Sequence, residues 1–145
     1  FKKKRIFKVM TEKKMIKYEG GCICGEVKFT VNLDKKPRVF NCHCIDCRKK
    51  IGGIISIIQL RENALKIDES KLSKFTHLGG SKNIITKSFC KNCAAPVTTY
   101  VEKWGISYLY AGLLDDISSL KSAKNIFYED SHFPFMNVNE KELVT

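Results

Sequence analysis

The sequence predicts an all-β domain of short antiparallel strands organised around cysteine knuckles. Three observations predict it. Short apolar or alternating segments recur along the chain, with turn residues between them. Seven cysteines fall in three tight clusters: Cys22 and Cys24; Cys42, Cys44 and Cys47; Cys90 and Cys93. The length, 145 residues, suits one domain with a core of its own.

The elements follow in order. Residues 1–17 read as a basic leader. Lys2, Lys3, Lys4, Arg5, Lys8, Lys13, Lys14 and Lys17 stand against one acid, Glu12. Eight against one leaves the leader with +7 of the net +11, and residues 18–145 with +4. The reading preferred is a solvated tail or an expression remnant. The alternative is a nuclear address or a phosphate-gripping arm. No continuous apolar stretch follows the basic residues, which argues against a secretory signal. One Arg and no Ser argue against a mitochondrial leader. A cytoplasmic location is expected, with a nuclear one as the alternative.

Glu26–Val31 alternates, with Val27, Phe29 and Val31 on one face. Pro37–Asn41 leads into the central cysteine cluster. Gly53–Leu60 is Ile-rich and short, which predicts a buried strand. Leu72–His77, Ile84–Phe89, Pro96–Val101 and Ile106–Ala111 continue the pattern, divided by turn signals such as Gly79-Gly80. A helical turn is expected at Asp116–Ser122 and a last strand at Asn125–Tyr128. The domain is expected to span residues 18–135, with a tail over 136–145. The longest apolar run, Ile51–Ile58, holds two glycines and a serine, so no stretch reads as a membrane-spanning helix.

The cysteines point to zinc. A disulfide framework fits poorly, because seven is odd and closely spaced cysteines make poor mutual partners. Inert buried thiols do not explain three tight clusters. Closely spaced thiolates chelate a metal with little loop-closure cost. A closed structural zinc site takes four protein ligands and a catalytic one three. Four plus three uses all seven cysteines. Spacing alone leaves open which four go together. The Cys42, Cys44, Cys47 cluster alone has three ligands and is the natural open site. Gly20-Gly21 and Gly25 around the first pair fit a tight knuckle whose amides turn toward the thiolates.

The histidines are weaker candidates. In an extended Phe40–Cys44 segment, Cys42 and Cys44 face one side and His43 the other. His43 is therefore expected not to be a ligand. His77 reads as an exposed turn residue, and His132 as a surface or packing residue.

The three clusters in this order resemble the glutathione-dependent formaldehyde-activating enzyme family, which includes centromere protein V. The residues that carry the resemblance are Gly20-Gly21-Cys22-Ile23-Cys24-Gly25, Cys42-His43-Cys44-Ile45-Asp46-Cys47-Arg48 and Phe89-Cys90-Lys91-Asn92-Cys93. The resemblance implies an Mss4-like β fold with two Zn²⁺ ions per chain. It implies a structural zinc on Cys22, Cys24, Cys90 and Cys93, and a second zinc with an open position on Cys42, Cys44 and Cys47. It implies a carbon–sulfur lyase that joins formaldehyde, or a related aldehyde, to a thiol such as glutathione. Arg48 is the candidate for a substrate carboxylate. The alternative is a non-catalytic zinc module like centromere protein V, whose basic leader contacts nucleic acid or another anionic partner. One departure matters. The family has Gly after the last cysteine, where this chain has Ala94. Ala tolerates a positive φ poorly, so a reshaped turn is expected there.

Overall fold

The computed structural model describes residues 14–121 and 124–131. The expected basic leader (apart from residues 14–17), His132 and the expected tail lie outside the described residues.

Among the described residues, ten strands form two sheets. The small sheet has the order β1-β2-β5, from Ile16–Gly21 (β1), Lys28–Leu33 (β2) and Leu65–Ile67 (β5). The large sheet has seven strands in the order β10-β3-β4-β9-β8-β7-β6. They are Val39–Cys42 (β3), Ile55–Leu60 (β4), Leu72–Leu78 (β6), Ile84–Cys90 (β7), Pro96–Val101 (β8), Ile106–Tyr110 (β9) and Lys124–Ile126 (β10). Every pair is antiparallel except β10 with β3, which is parallel. Helix α1, Ile45–Ile51, lies between β3 and β4, and the one-turn helix α2 covers Tyr128–Ser131.

The sheets bury their apolar faces against each other. Val27, Phe29 and Val31 alternate inward as expected and meet Val39, Ile58, Leu60, Val97 and Leu109 of the large sheet. The opposite face of the large sheet is covered by α1. There Ile55, Ile57 and Tyr110 pack with Cys42 and Cys47. β4 is buried on both faces, since Ile57 and Ile58 are adjacent and both inside. That explains its near-continuous isoleucines.

Several expectations need correction. β1 begins at Ile16, inside the segment read as leader, because Ile16, Tyr18 and Gly20 alternate along it. Residues 116–121 form no helix. The Ser118 amide donates to the Asp116 carboxylate and the Leu120 amide to the Ile117 carbonyl, giving a tight turn. The expected strand Asn125–Tyr128 is β10, ending at Ile126, and Tyr128 opens α2. His77 lies in β6, half-buried and stacked on Phe75, with Nδ1 3.2 Å from the Leu78 carbonyl. Ala94 does adopt a left-handed backbone, φ 63°. The turn is therefore kept with Ala in the place a glycine would fill, and the strain is accepted rather than relieved.

Candidate metal centres

The seven cysteine sulfurs gather into two groups. Cys22, Cys24, Cys90 and Cys93 form one, and Cys42, Cys44 and Cys47 the other; within each, the ligand atoms lie within 4.8 Å of one another. The first group borders the core between the two sheets. The second lies on the far face of the large sheet, under α1.

The four-sulfur group joins two knuckles. One turns from β1 into β2, with the Cys22 amide donating to the Val27 carbonyl and the Gly25 amide to the Cys22 carbonyl. Gly25 sits at φ 83°, which glycine adopts without strain. The other joins β7 to β8, with the Ala94 amide donating to the Cys90 carbonyl. Backbone amides turn toward the sulfurs in both. Val27 N is 3.3 Å from Cys22 Sγ, Asn92 N 3.3 Å and Cys93 N 3.5 Å from Cys90 Sγ. Such amides favour thiolate over thiol. Burial pushes the Cys22 thiol up. The Val27 amide and the sulfurs of Cys24, Cys90 and Cys93 outweigh it and bring Cys22 down to about 6.

The three-sulfur group comes from six consecutive residues. β3 delivers Cys42, the backbone stays extended through Cys44, and α1 starts there. Cys44 caps the helix: its Sγ accepts from the Cys47 amide at 3.3 Å. Asp46 in the first turn and Arg48, Lys49 and Lys50 in the last suit the helix ends. Gly52 closes the helix at φ 77°. Cys42 and Cys47 are buried and Cys44 is half-buried.

These three thiols do not ionise alike. Sulfur contacts with Cys42 and Cys47 draw Cys44 far below an ordinary thiol, and the Lys87 ammonium adds to the effect. Cys42 rises to about 11, chiefly through its contact with Cys44. Cys47 rises further, through Cys42, Cys44 and burial. Three thiolates this close repel one another, so full ionisation needs a cation among them.

Zinc fits both groups. Zn–S bonds of about 2.3 Å put tetrahedral sulfurs roughly 3.8 Å apart. The sulfurs of Cys22 and Cys24 are 3.4 Å apart, and those of Cys24 and Cys90 3.7 Å. The donor set, all sulfur, is the kind zinc takes.

His43 faces away from the sulfurs, as the alternation predicts. Its Nε2 is 2.8 Å from Asn125 Oδ1, its ring meets Tyr128 edge-on at 5.1 Å, and it is 1% exposed. It ties the cysteine segment to β10. Arg48 is half-buried on α1, one residue past Cys47, and no carboxylate pairs with it among the described residues.

Sequence reasoning missed the floor of the three-sulfur site. Tyr108 and Tyr110 of β9 pack against it. Burial pushes the Tyr110 hydroxyl up to about 12; Thr99, at 3.4 Å, opposes this, and the cysteines add to it. Tyr110 is thus a neutral phenol at neutral pH. The alternating aromatics of Ile106–Tyr110 were the signal available, but alternation does not say which face meets a metal.

A family model described as "Glutathione-dependent formaldehyde-activating enzyme" matches residues 17–130. The chain belongs to this family. A Halomonas elongata protein that carries the provisional name of glutathione-dependent formaldehyde-activating enzyme is 31% identical over 91 residues. The match covers 59% of this chain and 57% of that relative. The chain thus spans under two-thirds of the relative's length. A crystal structure of a Rhodobacter sphaeroides protein, solved as a structural genomics target, superposes with a TM-score of 0.54 at 20% identity. The superposition covers 70% of this chain and 91% of that one, and shows the shared fold alone. All three cysteine clusters lie inside the segment that matches the family model.

Proposed function

We propose that the chain is a zinc-dependent carbon–sulfur lyase acting in the synthetic direction, as an S-(hydroxymethyl)glutathione synthase. The observation that carries this reading is the division of the sulfurs into a group of four and a group of three. Cys22, Cys24, Cys90 and Cys93 would hold a structural zinc. Cys42, Cys44 and Cys47 would hold a second one with one ligand position left for substrate. Bound there, zinc supplies a site that lowers the pKa of an incoming thiol.

The reaction balances simply. The substrate sulfur forms a bond to the formaldehyde carbon, the carbonyl π bond breaks, and the thiol proton ends on the new hydroxyl oxygen. The chain's residues bind and shield. Three thiolates leave a zinc centre at net −1, which weakens carbonyl polarisation and favours holding the sulfur. Tyr108, Tyr110 and Ile57 exclude water from below. Tyr110 keeps its proton at neutral pH and offers a donor beside the centre. Arg48 on α1 receives a carboxylate of the thiol substrate. The thiols require a reducing compartment, which agrees with the cytoplasm. No helix among the described residues is long and apolar enough to cross a membrane.

The test is the rate of exchange between free glutathione and its formaldehyde adduct, followed by NMR magnetisation transfer. Native protein is expected to accelerate exchange and Cys44→Ser to abolish the acceleration. Equal rates for the two proteins remove the lyase reading.

A further inference from the structure

Lys87 sits in the middle of β7 and is 3% exposed. Lysine is almost never buried so far without a partner. An ammonium withdrawn from water needs an anion or strong acceptors. Among the described residues, the ion pairs are Lys17–Glu19, Lys71–Glu26 and Lys74–Glu69, and none includes Lys87. Among the described residues, therefore, no carboxylate accounts for its burial.

Its place in the sheet puts it on the face of the three-cysteine group. Lys87 is directly opposite Thr99 of β8, and Thr99 is directly opposite Tyr108 of β9. Residues in such a row share a face of the sheet. That face is the one that carries Tyr108, Tyr110 and the three-cysteine group. Helix α1 is attached near both ends of β7. Asp46, near its start, accepts from the Gly80 amide at 3.0 Å in the β6–β7 turn. Lys50, near its end, places Nζ 4.5 Å over the Phe89 ring. Lys87 lies along β7 between these two attachments. Lys87 is near enough to Cys44, the sulfur that caps the helix, for its charge to be felt there.

We infer that Lys87 is the fixed buried cation of the three-cysteine centre, and that it tunes the centre to accept an anionic sulfur ligand. The inference rests on the reading that this centre takes zinc and a thiol. Three thiolates and a divalent metal sum to −1. A fourth thiolate takes the centre to −2, which is costly in a partly buried site. With Lys87 alongside, the same step runs from neutral to −1. Lys87 is thus a positioning residue for charge and touches neither metal nor aldehyde. Lys49, exposed on the same helix, is screened by water and does not replace it.

The experiment uses the full chain loaded with cobalt(II), whose absorption bands report sulfur coordination. The probe is 2-mercaptoethanol, which has no carboxylate and so leaves Arg48 out of the comparison. Native protein should change its spectrum on thiol addition. Lys87→Met should need about tenfold more thiol or greater, since a buried charge is lost on the face of the sheet that holds the anion. Lys87→Arg, which keeps the charge, should stay within about threefold of native. Equal titration of Lys87→Met and native overturns the Lys87 inference alone. No thiol response in native protein overturns it together with the function proposed above. A second measurement needs no variant, and decides the matter if Lys87→Met does not fold. Trace acetylation of native cobalt protein is read by mass spectrometry with and without thiol. Thiol should slow acetylation of Lys87 relative to exposed Lys103, because an anion bound on its face of the sheet pairs with the Lys87 ammonium and withholds it from the reagent. An unchanged Lys87-to-Lys103 ratio overturns the inference.

Discussion

The two sulfur groups sit on opposite faces of one sheet and are built in opposite ways. The four-sulfur group ties turns far apart in the chain: Cys24 and Cys90, 66 residues apart, have sulfurs 3.7 Å from each other. It borders the core that both sheets share. The three-sulfur group is local, made by six residues at a strand-to-helix junction. It is floored by tyrosines. A cross-link between distant segments stabilises a fold. A local group on a rigid floor does little for the fold and is free to serve chemistry. The contrast supports the proposal that the first group is structural and the second functional.

The largest expected effect tests that contrast. Metal binding at a structural zinc site is worth about 10–16 kcal/mol, comparable with the whole stability of a domain. Cys90→Ser should therefore leave the chain unfolded by circular dichroism at 25 °C. Cys44→Ser should keep the fold and lose only the second metal. A folded Cys90→Ser protein would break the distinction.

Proton competition at the three-sulfur group comes next. Cys42 and Cys47 are pushed above the ordinary thiol range, so both carry protons at neutral pH without metal. Cys44 is drawn down and does not. Metal must displace the two protons. Affinity therefore rises with pH, by about a hundredfold per unit across neutrality. Competition with a chromophoric chelator at pH 6.5 and 7.5, on Cys44-intact protein, measures it. A pH-independent affinity would contradict the uneven ionisation.

Smaller effects sharpen the four-sulfur side. Gly20 bridges to Leu114, and a Cβ there would collide with the Leu113 carbonyl and the Phe29 ring. Gly20→Ala should cost about 1–3 kcal/mol in urea unfolding. Ala94→Gly should act in the other direction. A left-handed non-glycine costs about 1–2 kcal/mol, and part of the relief is lost to unfolded-state entropy. A net gain of about 0.5–1 kcal/mol is expected, read as a higher urea midpoint. No gain would mean the Ala94 backbone is not strained.

Much of this was legible in the sequence. The alternation of Val27, Phe29 and Val31 gave the inward face of β2, and the same rule turned His43 away from the sulfurs. Pro96–Val101 matched β8 residue for residue. Other elements were hidden for physical reasons. β5 is three residues long, too short for a pattern. β1 was masked by the lysines counted around it. α1 begins on a cysteine cap, whereas the usual signal is Ser, Thr, Asp or Asn. Its closing Gly52 and basic last turn are visible in the sequence, but its first residues coincide with the metal spacing. Lys87 was unreadable, because a lysine in a strand pattern implies a solvent-facing position. Only the tertiary structure reveals its burial.

The account stands most directly on metal stoichiometry. Zinc is measured per chain in protein purified without chelator, for native and Cys44→Ser proteins side by side. The prediction is two zinc ions in native protein and one in Cys44→Ser, with both folded. One zinc in each would contradict the second centre, and none in native protein would contradict both.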